Sequence, residues 1–185
     1  MACLTLCALP VLAQTAHTAA PPAKDPSTKG AVVLNPYEAA LALKEAGKYD
    51  EAIKLLETEA KWGTGYELAE LTLGQCYIAG AAKLPTPDAA DKARKTGLGW
   101  IVKAADGGQP RAQEELIHLS IEGGAFAVEP AEAGKWYLIW KRNPTRYASG
   151  MSELDPKFAD RLKKALTDAD WTEAKKRADA WKPAS

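Results

Sequence analysis

From residue 35 onward, apolar residues recur at helical spacing, no stretch shows the alternation of a strand, and breakers cut the pattern into eight segments. Asn35-Pro36-Tyr37-Glu38 supplies a capping Asn, a Pro at the first helical position and a Glu three residues after the cap, which predicts a helix to about Ala46. Gly47-Lys48-Tyr49 then gives a left-handed stop, and Asp50 is expected to cap a second helix with Ala52, Ile53, Leu56 and Ala60 on one face. Thr64-Gly65-Tyr66-Glu67 reads as another capping box, opening a third helix with Leu68, Leu71, Leu73, Cys76 and Tyr77 that stops at Gly80. Thr86-Pro87-Asp88 starts a fourth that reaches Ala105 and is closed by Gly107-Gly108; Gly97 and Gly99 inside it weaken a helix, so close packing is expected at both. Pro110 opens a fifth with Ala112, Leu116, Leu119 and Ile121, ended by Gly123-Gly124. Glu129-Pro130 opens a sixth, stopped at Asn143-Pro144, and Asp155-Pro156 and Thr167-Asp168 open two more before Pro183.

The pattern also repeats. Ala69, Leu73 and Gly80 correspond to Ala112, Leu116 and Gly123 at an offset of 43 residues, and Trp100 corresponds to Trp136 at 36. Paired helices at such a period mark an α-solenoid, where one hairpin cannot bury its apolar face alone and stacks on the next. The residues resemble the SEL-one-like repeats, relatives of the tetratricopeptide repeat. Leu73-Gly74, Tyr77 and Gly80 look like the first-helix motif; Trp100, Ala104-Ala105, Gly108 and Ala112-Gln113 look like the second helix and its lead into the next unit. Val128-Glu129, Ala133 and Trp136-Tyr137 resemble the same pattern in a third unit, and Leu166 to Pro183 is similar to the short closing helix of such proteins. The opening hairpin, with Gly47-Lys48-Tyr49-Asp50-Glu51-Ala52, looks more like a tetratricopeptide unit. Ile117 and Ser120 depart from the pattern, which has Gly and Tyr there, and Gly97 stands where it has Ala. The resemblance implies an all-α fold, a right-handed α-solenoid of stacked antiparallel helix pairs, over residues 35–183.

The N-terminus reads differently. An apolar run from Cys3 to Ala13, too short to span a bilayer, ends in a small residue and is expected to be a signal peptide, residues 1–13. Residues 14–34, rich in Ala, Pro, Thr and Lys without apolar period, read as a flexible linker. Cleavage would remove Cys3 and Cys7, leaving Cys76 as a small buried apolar side chain and no internal disulfide. Export to the periplasm follows as the expected localisation, without stable membrane insertion once the signal is cut. Lys plus Arg and Asp plus Glu number 24 each, so no basic excess points to nucleic acid.

Candidate chemistry is sparse. No Gly-rich phosphate loop, nucleophile elbow or HExxH occurs, and no cofactor or metal is expected. His118 with Glu114 and Glu122, four residues either side, could share a face as metal ligands, although a solvated helix has the same spacing. Trp100, Trp136, Tyr137 and Trp140 could form a sugar platform; the resemblance makes Trp100 and Trp136 packing residues instead. Trp62, Trp171 and Trp181 are candidate binding anchors. The resemblance implies a non-catalytic adaptor for other proteins, with Glu67, Gln75, Glu115 and His118 facing a partner peptide or helix in a concave groove. The alternative is a small envelope hydrolase directed at peptidoglycan, using Glu114 or Glu122.

Overall fold

A computed structural model describes residues 35–122 and 129–184; the expected signal peptide, the linker and Gly123 lie outside the described residues. Among them the chain is all-α: α1 (Pro36–Glu45), α2 (Tyr49–Ala60), α3 (Glu67–Gly80), a 3-10 turn (Ala81–Lys83), α4 (Pro87–Asp106), α5 (Pro110–Glu122), α6 (Pro130–Arg142), α7 (Thr145–Ala148), α8 (Pro156–Ala165) and α9 (Asp168–Ala180). No helix among the described residues is long and apolar enough to cross a membrane.

Most helix starts follow the local code. The Asn35 Oδ1 accepts from the Glu38 amide at 2.8 Å while the Glu38 Oε2 accepts from the Asn35 amide at 3.1 Å, the reciprocal box that satisfies two otherwise orphaned donors. Thr167 forms the same box with Asp170 at the start of α9, whereas Thr86 and Asp155 cap α4 and α8 one way only, accepting from the Ala89 and Phe158 amides. Two expectations fail. Asp50 lies inside the first turn of α2, with Lys48 at the cap and no side-chain cap bond. Glu67 is the first residue of α3, and its Oε1 accepts from the Gly65 amide at 2.9 Å, so the sequence Thr64 to Glu67 makes a tight loop and no reciprocal box. The short α7 was not anticipated, since Asn143-Pro144 reads only as a stop. Gly47 (φ +68°) ends α1, and the Lys48 amide returns to the Leu43 carbonyl at 2.8 Å; Gly108 (φ +88°) ends α4 with Gln109 returning to Ala104 at 3.0 Å. Both positions need the left-handed backbone that glycine adopts without strain.

Packing runs from each helix to its successor, from α1 through α6, after which α6 lies against α9. Antiparallel pairing of α3 and α4 is fixed by the ends: a Cβ on Gly107 would come within 2.6 Å of the Glu67 Cγ, placing the end of α4 on the start of α3. At mid-helix the two backbones touch. A Cβ on Gly97 would sit 2.6 Å from the Gly74 carbonyl oxygen, and one on Gly74 would sit 2.6 Å from that of Gly97. Gly97 therefore permits the close crossing expected of it, whereas Gly99 faces open space, so the same expectation is wrong there.

One core lies among α1, α2 and α3, around Ala40, Leu56, Leu73 and Cys76. A second runs from α3 to α9, around Ile101, Leu116, Trp136, Trp140 and Leu162. The central helix α3 serves both, with Leu73 in the first and Leu71 in the second, and its residues Ala69 through Gly74 are all buried. A helix that serves two cores must be apolar on more than one face, as α3 is with Ala69, Leu71, Leu73 and Cys76. Each fully buried Leu contributes about 1.5–3 kcal/mol of transfer free energy. Two polar residues are buried with them: Thr72, and Glu70 with its Oε1 2.7 Å from the Lys103 Nζ on α4.

Ala104, Ala105, Ala112 and Ala133 are buried, which lets neighbouring helices approach. The Tyr77 hydroxyl donates to the Glu57 Oε1 at 2.8 Å, and Gly80 lies against the Tyr49 ring. Trp136 and Trp140 are core residues, and Trp100 is half-buried beneath the Lys103 ammonium, 4.9 Å from its ring centre. Trp171 and Trp181 are half-buried too, edge-on to Tyr137 and Trp136 at 6.0 and 6.4 Å. They pack α9 onto α6, and the Trp181 Nε1 donates to the Asp106 Oδ1 at 3.0 Å. Trp62 alone among the six stands in solvent, 70% exposed.

Candidate functional site: a groove across α1, α3 and α5

Three helices present the same spacing to one concavity. Tyr37, Leu41 and Lys44 come from α1; Leu68, Thr72 and Gln75 from α3; Arg111, Glu115 and His118 from α5. Each set is one helical face read at intervals of three and four residues. The α5 set lies 43 residues beyond the α3 set at every position, the offset already visible in the apolar pattern. Leu71 and Glu114 share that relation and also line the groove, while Ser149 to Met151 form its end wall beyond α5. The enclosed volume is about 420 Å³.

Polar side chains bridge the helices. The Lys44 Nζ donates to the Gln75 Oε1, and the Gln75 Nε2 donates to the Glu115 Oε2 at 3.2 Å, so one amide on α3 ties the cation of α1 to the carboxylate of α5. The Tyr37 hydroxyl lies 3.2 Å from the Thr72 Oγ1, which itself donates to the Leu68 carbonyl. On α5, burial raises the Glu114 carboxyl above the ordinary glutamate range; the neighbouring Glu115 adds to the rise, and His118 and Arg111 oppose it. The His118 ring stacks on Phe158 of α8, centroids 3.9 Å apart at 23°. Cys76 lies buried behind this wall with its thiol pushed up by burial, against a smaller opposing effect of Lys44.

The end wall has its own anchor. Arg146 of α7 is 1% exposed, with its guanidinium 4.4 Å over the Trp140 ring and 4.3 Å over Tyr147, and it donates to the Glu153 Oε1 at 2.6 Å and to the Ser152 carbonyl at 3.5 Å. The far end of that segment, at Ser152 and Glu153, is thus fastened to one buried cation, and its near end is held by the Ser149 and Gly150 amides on the Thr145 and Tyr147 carbonyls.

Of the four residues expected to face a partner, Gln75, Glu115 and His118 come together in the groove, and Glu67 stands apart, turned back to its own loop and against Gly107. Tyr37, Lys44, Thr72 and Arg111 escaped notice in the sequence. The signal that could have found them is the face they share with Gln75 and His118, once the 43-residue register is extended to polar positions. Among the described residues no three metal-ligating side chains converge, and the Glu122 side chain lies outside them.

A larger hollow of about 560 Å³ lies between the C-terminal ends of α4, α6 and α9, walled by Ile139, Ala178 and Trp181. Its charged pair, Arg142 and Asp179, is closed on itself at 2.6 Å. The groove is the better candidate because unlike charges and amides from three helices converge there. No protein-family model, characterised protein or solved structure matches this chain.

Proposed function

We propose that this chain is a non-catalytic adaptor, a right-handed α-solenoid of SEL-one-like and tetratricopeptide-like helix pairs, exported to the periplasm, that receives a peptide or helix of a partner protein in the α1/α3/α5 groove. The observation that carries the reading is the recurrence of one lining pattern on three alternate helices, with α5 offset from α3 by 43 residues. A stack of hairpins places every first helix on the same side, and an extended ligand crossing that side meets equivalent positions in turn. The sequential packing from α1 to α6 supports it, as does the polar bridge through Gln75.

The test is charge reversal that leaves the cores alone. Glu115→Lys and Arg111→Glu, the latter at an exposed side chain of the groove, are expected to abolish capture of the partner by in-cell cross-linking while helical ellipticity and melting stay unchanged. Binding that survives both changes refutes the groove.

A second reading has one observation in its favour. The raised carboxyl of Glu114 in the groove suits a general acid, as a peptidoglycan hydrolase of the envelope would need. Release of soluble fragments from purified peptidoglycan, lost in Glu114→Gln, would establish it; the adaptor reading expects no release.

A further inference from the structure

The repeat leaves one groove position unlike its counterpart. Leu71 on α3 is 4% exposed and belongs to the second core, and the residue 43 positions on, at the same place on α5, is Glu114. A place that α3 fills with a core leucine thus holds a half-buried carboxyl on the groove wall. Burial pushes that carboxyl above the ordinary glutamate range against the opposing charges of His118 and Arg111. Among the described residues it accepts no hydrogen bond and closes no ion pair, and the Arg111 guanidinium, three residues earlier on the same face, makes none either. A half-buried carboxyl without a donor costs stability that an apolar residue there would not. A groove residue that costs the fold in this way is explained when an occupant supplies the missing donor.

Net charge does not choose that occupant. The wall carries Lys44 and Arg111 against Glu114 and Glu115, two of each sign, with His118 beside them. The groove itself shows what satisfies a carboxylate among these charges. Glu115, the next residue, is met by the Gln75 amide, whose Nε2 donates to its Oε2 at 3.2 Å while its Oε1 accepts from the Lys44 Nζ. A carboxamide holds two N–H donors and an acceptor oxygen in one plane, so it bridges unlike charges while carrying neither. Glu114 and Arg111 pose the demand that Gln75 already meets between Glu115 and Lys44.

We infer that Glu114 and Arg111 read a carboxamide of the occupant, an Asn or Gln side chain of the docked segment whose N–H donates to Glu114 and whose oxygen accepts from Arg111. This rests on the docking reading above and adds to it the chemistry that the groove selects.

The experiment has two arms, both on the full chain. Urea titration followed by ellipticity compares it with Glu114→Leu, which copies Leu71, and with Glu114→Gln. Both substitutions are expected to raise the midpoint at neutral pH, and the rise should shrink in acid, where the folded chain carries this carboxyl protonated. A midpoint that neither substitution raises overturns the inference, because the carboxyl then costs the fold nothing. The second arm titrates fluorescein-labelled dodecapeptide pools of Ala, Gly and Leu, each with a pair of Gln, Lys, Glu or Leu fixed at every spacing. The Gln pool is expected to bind on the order of tenfold tighter than the others and to keep that margin in high salt. Glu114→Leu should erase the margin, and Glu114→Gln, which retains an acceptor oxygen, should keep part of it. Equal binding of the pools, tightest binding of the Lys or Glu pool, or a Gln margin that survives Glu114→Leu overturns the inference; if Glu115→Lys still abolishes binding, the groove stands. Release of peptidoglycan fragments that is lost in Glu114→Gln also overturns it, in favour of a general acid. Silence of every pool overturns inference and docking reading together.

Discussion

Gly97→Ala and Gly99→Ala place the same methyl two residues apart on α4, and the structure assigns them opposite signs. In both, replacing Gly by Ala inside a helix gains about 1 kcal/mol of propensity. At Gly99 nothing lies within 4 Å of the new Cβ, so that gain stands alone. At Gly97 the Cβ arrives 2.6 Å from the Gly74 carbonyl oxygen, 2.8 Å from the Ile78 Cγ1 and 3.0 Å from the Tyr77 Cβ. The first of these is backbone and cannot swing aside, so α3 and α4 must separate along their whole crossing. Overpacking of this kind costs about 1–3 kcal/mol, which leaves Gly97→Ala destabilised by up to about 2 kcal/mol after the propensity gain. The gap between the variants is then about 2 kcal/mol, or about 1 M in the urea midpoint for a slope near 2 kcal/mol/M. Urea titration followed by far-ultraviolet ellipticity reads it directly. Gly74→Ala should behave as Gly97→Ala does, and the double variant should cost less than the sum because both open one crossing. Equal midpoints for Gly97→Ala and Gly99→Ala would refute the close approach of α3 and α4.

Arg146→Ala should destabilise by about 2–4 kcal/mol, measured by the same titration, because it removes the cation stacked on Trp140, the Glu153 pair and the filling of a buried site at once. Milder loss is expected for Arg146→Met, which keeps the volume. Burial, then the hydrogen bond from the Tyr77 hydroxyl to Glu57, pushes the Tyr77 phenol up to about 12, so the folded state holds that proton while the unfolded chain releases it near 10. Stability present below pH 10 is therefore lost as pH rises from about 10 to about 12, and Tyr77→Phe should remove both that decline and the last step of the tyrosinate absorbance titration. Asp170 has the reverse sign: its carboxyl is held low by bonds from Thr167, so its contribution is present above the ordinary aspartate range and fades as pH falls. A thermal melt series in acid should show a shallower decline for Thr167→Ala.

The helices themselves were legible because their ends are local. Asn35, Thr86, Asp155 and Thr167 each cap through a bond spanning three residues, and Gly47 and Gly108 close turns through bonds spanning five, so neighbouring residues suffice to announce them. Asp50 and Thr64 have the same composition as true caps and fail. The backbone there is committed to the turns around Gly47 and Gly65, a choice made by where α2 and α3 must lie. The short α7 is set by Arg146, whose partners Trp140 and Glu153 flank it in sequence but meet it only in the fold.

The groove divides in the same way. Sequence periodicity determined which residues share a helical face, and so it already grouped Gln75 with its counterpart His118 one register away. Tertiary structure decided which faces meet: that Lys44 reaches Gln75, that Glu67 turns away, that Gly97 is crowded while Gly99 is open, and that Trp62 alone of six tryptophans finds no cover. The physical reason is range. Caps and amphipathic faces are fixed by neighbours within a turn or two, whereas burial and close approach depend on residues tens of positions distant, whose arrival only the packed chain can settle.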